Sequence, residues 1–410
     1  MSEPFADCVI VGGGIGGAVL ALALGQRAHR VVVLERETHP PAIGRPEILA
    51  RSTMDAFHRL GVGARLVEET AIPLRRLELW RSGGGRILQL NEDDFRRVGA
   101  QPYSTDPVKT RRILLEAAAA TRNVEVHRGV DVQALLRDGS SVIGVQGRRG
   151  EEPVAWRGRL VVGDDGGHSR IRAALGISLE LSELPLEFLA AAGPALPEAE
   201  DRVGQAWIQP SALGEGIAVG IFVPLPGGRT AIALLASPAT CQRMLQRAPA
   251  EFYDAAVRLS PRCRGLAERY RFPEDFAHLR RPFGHAARYV ADGAVLIGDA
   301  AHPVTPAGGQ GANMSVADAV ALADIAQRAL SRHDCSRQQL EAYETLRRPA
   351  NHRSLQFSVR TDRVFRTLQH HPWMAPLLPA SLALVNRSRT LKARLIRAVS
   401  QAFASAPRRA

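Results

Sequence analysis

The sequence predicts an α/β fold with two interleaved parts and an appendage. An open-sheet β-α-β part is split along the chain, a sheet-rich part is inserted into it, and a helical, basic segment ends it. Three observations carry this. A buried strand, a glycine turn, a helix and a second buried strand follow one another within residues 7–34. From about residue 179 to 283 the texture changes to short apolar runs between glycine and proline turns, which signals sheet. The charge is lopsided as well: of a net +12, residues 351–410 supply +10, with eleven Arg/Lys against Asp362 alone.

Element by element, residues 7–11 are apolar enough for a buried strand, and Gly12 to Gly17 end it in a turn. Residues 18–27 predict a helix and 30–34 the second strand. Helices are expected over 48–60, stopped by Gly61, and over 110–120. Residues 124–127 and 130–136 read as strands, 142–148 and 153–157 as a hairpin around Gly150, and 160–162 as another buried strand. In the sheet-rich part, 207–209, 216–223 and 230–235 are strands and 248–259 a helix. Residues 293–297 form a last buried strand, 312–330 a long helix, and the final 60 residues are mostly helical.

Composition excludes several classes. A hydrophobic fraction of 45% with 23% charge is that of a globular protein, not of a disordered, collagen-like or coiled-coil chain. Cys8, Cys241, Cys263 and Cys335 form no CxxC pair, so neither a disulfide scaffold nor a cysteine zinc site is expected, and a reduced, cytoplasmic setting is the default. The apolar run 8–24 follows Glu3 and Asp7 rather than basic residues and is broken by five glycines, unlike a signal peptide or a membrane span. No metal site is expected, since His370 and His371 lack a Cys or acid at ligand spacing. No Ser-His-Asp order or G-x-S-x-G element stands out, and no nucleic-acid module.

Three constellations carry chemistry. Gly12, Gly14 and Gly17 fit GxGxxG between a strand and a helix, and Glu35 ends the next strand. The glycines permit the tight turn, the approach of a pyrophosphate and close helix packing; the helix N-terminus favours the anion, and the acid accepts from ribose hydroxyls. FAD and NAD share this fingerprint. Gly298-Asp299 after a strand, then Pro306 to Asn313 opening a helix, form the second constellation. An acid for polyol hydroxyls and free N–H groups for a polarised ring carbonyl suit the ribitol and pyrimidine of a flavin. The third is Gly163-Asp164-Asp165-Gly166, with Ser169 and Arg172, again a strand running into a polar turn and helix.

Taken in chain order, with the glycine turn at 12–17 first, the Asp165-Gly166 motif second and the Gly298-Asp299 motif third, the three resemble those of the single-component, class A FAD-dependent aromatic hydroxylases of the p-hydroxybenzoate hydroxylase type, over residues 6–350. The resemblance implies that Gly12, Gly14, Ile15, Gly16 and Gly17 hold the FAD pyrophosphate, and that Glu35 and Arg36 meet the adenosine. It places Arg45 at the pyrophosphate or ribitol, Arg111 at the flavin and Val132 near adenine. Asp299 would bind ribitol or pyrophosphate, with Pro306 in the loop before the helix. Gly311, Ala312 and Asn313 would offer N–H groups to the ring. Asp165 would serve both FAD and NAD(P)H. Three positions depart from the pattern: Arg112 beside Arg111, Asp164 where a small residue is usual, and Ser315-Val316 in place of a glycine-containing pair. His302 and His168 read as structural.

The implied function is an FAD-dependent, NAD(P)H-using monooxygenase that hydroxylates an aromatic, phenolic or quinone-like small molecule with O2 through a flavin C4a-hydroperoxide. NAD(P)H would bind transiently. A flavin reductase or dehydrogenase of the prenyl-reductase type is the alternative; a halogenase lacks its usual WxWxIP element here, and a non-enzymatic FAD-binding protein is a further reading. The expected division is 1–75, 101–178 and 284–350 for the FAD part, 76–100 and 179–283 for the substrate part, and 351–410 for the appendage. Trp207, Gln209, Phe222 and Arg281 are candidates to line the pocket. Residues 386–405 carry Leu391, Leu395, Ala398, Val399, Ala402 and Phe403 at helical spacing beside Lys392, Arg394 and Arg397. Such a helix suits docking on its own protein or a second subunit, or peripheral contact with an anionic membrane. The tail also resembles that of ubiquinone-biosynthesis hydroxylases.

Overall fold

The computed structural model of the chain describes residues 5–39, 47–182, 186–196, 202–209, 216–246, 249–279, 283–304, 309–374 and 377–403. In its larger sheet, β1 (Phe5–Val11), β2 (Val31–Glu35), β8 (Val124–Arg128), β11 (Glu152–Gly163) and β20 (Ala294–Leu296) are parallel, in the order β20-β11-β1-β2-β8. Antiparallel β9 (Val130–Asp138) and β10 (Ser141–Arg149) extend from β11, and β19 (Val290–Ala291) closes the β20 edge. Parallel strands covered on both faces need apolar side chains throughout. Val31 to Leu34 and Leu160 to Val162 are all buried. Helix α1 (Ile15–Gly25) is buried from Gly16 onward and packs against α5 (Pro107–Ala119) and α10 (Gln310–Ser331). From β1 the chain builds outward to β2 and β8, then returns to the other side of β1 for β11 and β20. The order reverses between β1 and β11, and ligands bind this class of sheet in the crevice beyond the carboxyl ends at such a reversal.

A second sheet of seven strands runs β17 (Ala277–Leu279), β13 (Glu187–Pro194), β16 (Arg229–Ala236), β15 (Ile217–Leu225), β14 (Val203–Ile208), β5 (Arg76–Arg81), β6 (Arg86–Asn91). Only the β14–β5 pair is parallel. One face, with Leu189, Trp207, Phe222 and Ile232, packs under α7 (Pro238–Gln246), α8 (Pro249–Leu259) and α9 (Leu266–Arg269). The other face, with Phe188, Ile208, Val219 and Leu235, meets Met374 and Leu382 near the C-terminus. β3 (Glu47–Leu49), β7 (Tyr103–Thr105) and β4 (Ala71–Pro73) form a third sheet. It is tied to the second where Ser104 Oγ donates to the Pro224 carbonyl at 2.5 Å. β12 (Leu179–Ser182) pairs with β18 (Phe283–Ala286).

The other helices are α2 (Arg51–Arg59), α3 (Gly63–Glu69), α4 (Glu92–Val98), α6 (Arg170–Ala174), α11 (Arg337–His370), α12 (Leu377–Arg387) and α13 (Arg389–Phe403). Three expectations change. The helix expected from residue 48 starts at Arg51, because Glu47–Leu49 pair with β7. The strands expected at 153–157 and 160–162 are one strand, β11, continuous through Gly158. The tail breaks at Ser388, whose Oγ accepts the Leu391 N–H at 3.3 Å and opens α13. This tail docks on its own chain, but not by the predicted stripe: Ala393 and Ile396 are buried, whereas Leu391, Leu395 and Val399 are half-buried and Ala398 is exposed. Lys392 Nζ lies 3.4 Å from Asp94 of α4. Asn386 Oδ1 accepts the Gln89 N–H at 3.0 Å. All four cysteines are free thiols. No helix among the described residues is long and apolar enough to cross a membrane.

Candidate functional site

The crevice at the strand-order reversal is built first by the glycine turn after β1. Gly12 has φ +106, which an L side chain rarely adopts, and its Cα side is pressed against the Asp164 backbone. Gly14 caps α1 with no side chain to offer. Among the described residues no acceptor is assigned to the Ile15 and Gly16 N–H groups, as the first turn of any helix leaves them. Glu35, at the end of β2, is 8% exposed. Its Oε2 accepts the Gly13 N–H at 2.9 Å, and Oε1 accepts from Glu37 N at 2.8 Å. Arg111, in the first half of α5, donates to the Gly13 carbonyl at 2.6 Å and to Glu35 Oε2 at 2.5 Å. Arg112 points outward to Glu116 and Glu69. Of the adjacent pair, Arg111 is therefore the one in the crevice, at the Glu35 side of the glycine turn.

The second wall comes from the end of β11. Asp165 Oδ2 accepts the N–H groups of Arg170 and Ile171 at 2.7 and 3.1 Å, which seats α6. Burial raises the Asp165 pKa, against the lowering by these hydrogen bonds. Arg172 donates to the carbonyls of Gly167 (2.9 Å) and Ala300 (2.8 Å), so it clamps this turn onto the one that carries Asp299. Asp164 Oδ2 accepts the Gly17 N–H at 2.7 Å. Burial and, after it, Asp299, Asp165 and Asp318 push the Asp164 pKa well up.

The third wall is Gly298–Ala300 with the start of α10. Gly311 and Ala312 are in the first turn of α10, where N–H groups lack intrahelical carbonyls. Asn313 is buried and works through its side chain: Oδ1 accepts from Ala50 N (2.8 Å) and Thr53 Oγ1 (2.7 Å), and Nδ2 donates to the Ile48 and Gly309 carbonyls (both 2.9 Å). It stitches α10 to the β3–α2 corner. Gln310 is fully buried, and neither amide atom has a partner among the described residues.

Behind this wall lies a charged core. Asp318 of α10 pairs with His302, takes Arg347 Nε at 2.7 Å and Asn351 Nδ2 at 3.0 Å, and accepts the Gly298 N–H at 3.1 Å. Burial alone would raise its pKa; His302 and Arg347 outweigh it and hold the carboxylate below its ordinary range. His302 thus has the structural place expected of it. His285 nearby is pushed down to about 3, mainly by burial, and shares its Nε2 with Tyr289 Oη at 2.6 Å.

Of the predicted residues, the structure gathers Gly12, Gly14, Ile15, Gly16, Gly17, Glu35, Arg111, Asp165, Asp299, Gly311, Ala312 and Asn313 around one crevice. Arg36 is exposed beyond β2, and Val132 is buried on β9 with its carbonyl 3.3 Å from Arg170 Nη1. Arg45, Pro306 and Arg281 lie outside the described residues. Trp207 and Phe222 belong to the core under α7–α9; Trp207 stacks on Trp80 at 5.2 Å, so neither lines a pocket on the sheet's other face. Gln209 is half-buried and pairs through its N–H with Ala218. The sequence reading missed the Asn313 stitch, the Asp318 core and the Asp164 hydrogen bond to α1.

A group with a diphosphate, sugar hydroxyls and a ring carbonyl fits this donor set: unpaired N–H groups on α1, carboxylates at the ends of β2 and β20, and the open first turn of α10. Comparison with known proteins agrees. The FAD binding domain family matches residues 6–358. The 6-methylpretetramide 4-monooxygenase of Streptomyces rimosus is 28% identical, over 93% of this chain and 89% of that one. The 3-demethoxyubiquinol 3-hydroxylase of Escherichia coli K12 is 26% identical, over 81% and 82%. The fold is shared with PqsL of P. aeruginosa, solved in complex with 2-aminobenzoylacetate, at TM-score 0.75 and 23% identity, over 95% of this chain and 99% of that one. The chain belongs to the FAD-binding-domain family. Its enzyme class is that of FAD-dependent monooxygenases.

Proposed function

We propose that the protein uses NAD(P)H and O2 to hydroxylate an aromatic, phenolic or quinone-like small molecule. The observation that carries this is the convergence of three walls on one crevice, each supplying what a different portion of FAD needs. The diphosphate lies at Gly14 to Gly17, where α1 presents free N–H groups. The adenosine ribose lies at Glu35, itself held by Arg111, with Arg36 and Val132 toward the adenine. Asp299 takes ribitol hydroxyls or the pyrophosphate, and the Gly311 and Ala312 N–H groups face the pyrimidine side of the ring. Asp165 fixes the turn shared by FAD and NAD(P)H. When bound and reduced, the flavin supplies the oxygen activation; the protein binds, orients and excludes water. Relatives that act on a pretetramide and on a demethoxyubiquinol support a ring-bearing substrate.

The substrate then sits between the crevice and the second sheet, on the side away from α7–α9 and beside the part of that face that Met374 and Leu382 already cover. In this reading the first sheet with residues 1–75, 101–178 and 284–350 is the FAD part, and 76–100 with 179–283 the substrate part. The test is NAD(P)H and O2 consumption by the FAD-loaded protein across a panel of phenols and quinols, with product mass. Gain of one oxygen atom by a ring substrate supports the reading. NAD(P)H-dependent saturation of a prenyl double bond without oxygen incorporation would replace it with the reductase reading.

A further inference from the structure

Asp164 occupies the centre of the crevice. The N–H it takes, that of Gly17, belongs to the first turn of α1, whose own cap residue is a glycine. A side chain 147 positions away thus does the capping that a Ser or Asp at Gly14 would do locally. The two carboxyl oxygens also fill the space beside two glycines. A Cβ added at Gly14 would stand 2.8 Å from Oδ2, and one at Gly298 would stand 2.7 Å from Oδ1. The carboxyl group therefore lies at the anion-favouring end of α1, next to the Ile15 and Gly16 N–H groups to which a diphosphate binds.

The groups that face it are acids. Asp165 adjoins it on its own turn, Asp299 faces it from the Gly298–Ala300 turn, Asp318 from α10 and Tyr343 from α11. α1 has no titratable side chain. Nearby basic side chains are engaged elsewhere: His302 and Arg347 with Asp318, and Arg172 with two carbonyls. An ionised Asp164 and a diphosphate would share one helix end, and like charges so placed raise the proton affinity of the weaker acid. A protonated carboxyl still accepts from Gly17 through its carbonyl oxygen and gains an O–H to donate.

We propose that Asp164 is a proton-linked positioning residue for the cofactor: FAD binding at the glycine turn takes up one proton onto the Asp164 carboxyl, which caps α1 with one oxygen and donates its O–H to the diphosphate. This rests on the cofactor placement proposed above. FAD then binds tightest at low pH. Affinity falls by up to about tenfold per pH unit between the pKa of Asp164 in the free protein and that in the complex, and levels off above.

The experiment titrates apoprotein with FAD, followed by flavin fluorescence, from about pH 6 to about pH 9, a window meant to span that linkage. Wild type loses roughly 10- to 100-fold in affinity across it. Asp164→Asn offers the same acceptor and a donor without titrating, and it holds the wild type's low-pH affinity with little change. Asp164→Ala is equally flat. Calorimetry in two buffers of different ionisation enthalpy finds about one proton taken up by wild type mid-window and none by Asp164→Asn. Parallel pH curves for wild type and Asp164→Asn, or no proton uptake by wild type, overturn the proposal. Tight, pH-independent binding by wild type removes the role of Asp164 alone; no FAD binding at any pH removes the cofactor placement with it. If the variants differ from wild type in far-UV circular dichroism, the wild-type calorimetry decides.

Discussion

Asp164, in the crevice, and Asp318, behind its third wall, are two carboxyl groups whose surroundings push them in opposite directions. Asp318, fully buried, has His302, Arg347, Asn351 and the Gly298 N–H around it and keeps its charge. Asp164 has one backbone N–H and a ring of other acids, and burial drives it toward the neutral form. Desolvation works against the charge of both, the half-buried Asp164 and the fully buried Asp318; the partners decide which of them keeps it. The first arrangement serves to lock α10 and α11 together. The second leaves a group whose proton can respond to what arrives beside it.

The largest effect that would test this contrast is removal of the cation from the compensated site. Arg347→Met should destabilise the protein by about 3–5 kcal/mol in urea unfolding, since it strands a buried carboxylate. A loss under about 1 kcal/mol would mean that Asp318 is not held charged by Arg347. Asn313→Ala comes next. It leaves the Ala50 N–H, Thr53 Oγ1 and two carbonyls without their side-chain partner, for an expected loss of about 2–3 kcal/mol in melting experiments, with weaker FAD retention.

The pH dependence of stability should separate the two aspartates by sign. The folded pKa of Asp318 is depressed, so its contribution is present above the unfolded value, about 3.9, and is lost as pH falls from there toward the folded value. The folded pKa of Asp164 is raised, so the ionised group destabilises the apoprotein at high pH and the penalty fades as pH falls. Asp164→Asn should accordingly gain on the order of 1 kcal/mol near pH 8, with the gain gone near pH 4. Equal gains at both pH values would break the contrast. A comparable effect and the smallest one concern the two adjacent arginines. Arg111→Ala should weaken FAD binding by about tenfold through Glu35, a loss of roughly 1.4 kcal/mol. Arg112→Ala, which removes exposed ion pairs, should change stability by less than about 1 kcal/mol and leave FAD affinity unchanged in the same titration.

What was legible in the sequence is what local spacing encodes. The β1-α1-β2 unit, the position of Glu35 and the start of α10 follow from periodicity and glycines within some thirty residues of one another. Less legible was anything set by partners far along the chain. Residues 48–50 have a helical pattern, yet Glu47–Leu49 take a strand because β7 is there to pair with. Gly158 reads as a strand end, but it pairs opposite Ala6 inside a continuous ladder. Trp207 looked like a pocket aromatic; which face it takes depends on where α7–α9 pack, and a strand's alternation cannot name its faces. Asp164 was visible as an oddity in its motif, but its hydrogen bond spans 147 residues.

β11 is twelve residues long; its first half pairs with β10 and its second half with β1 and β20. Its length fixes where the chain tolerates growth. An extra residue between Arg157 and Gly163 would turn every following side chain to the opposite face and withdraw Asp164 and Asp165 from the crevice together. The turn at Gly150 and Glu151 lies at the far end of the same strand, exposed and free of ladder partners. A tag, an epitope or an added loop inserted there should leave the cofactor crevice in register, so this corner is the place to lengthen the protein without retuning it.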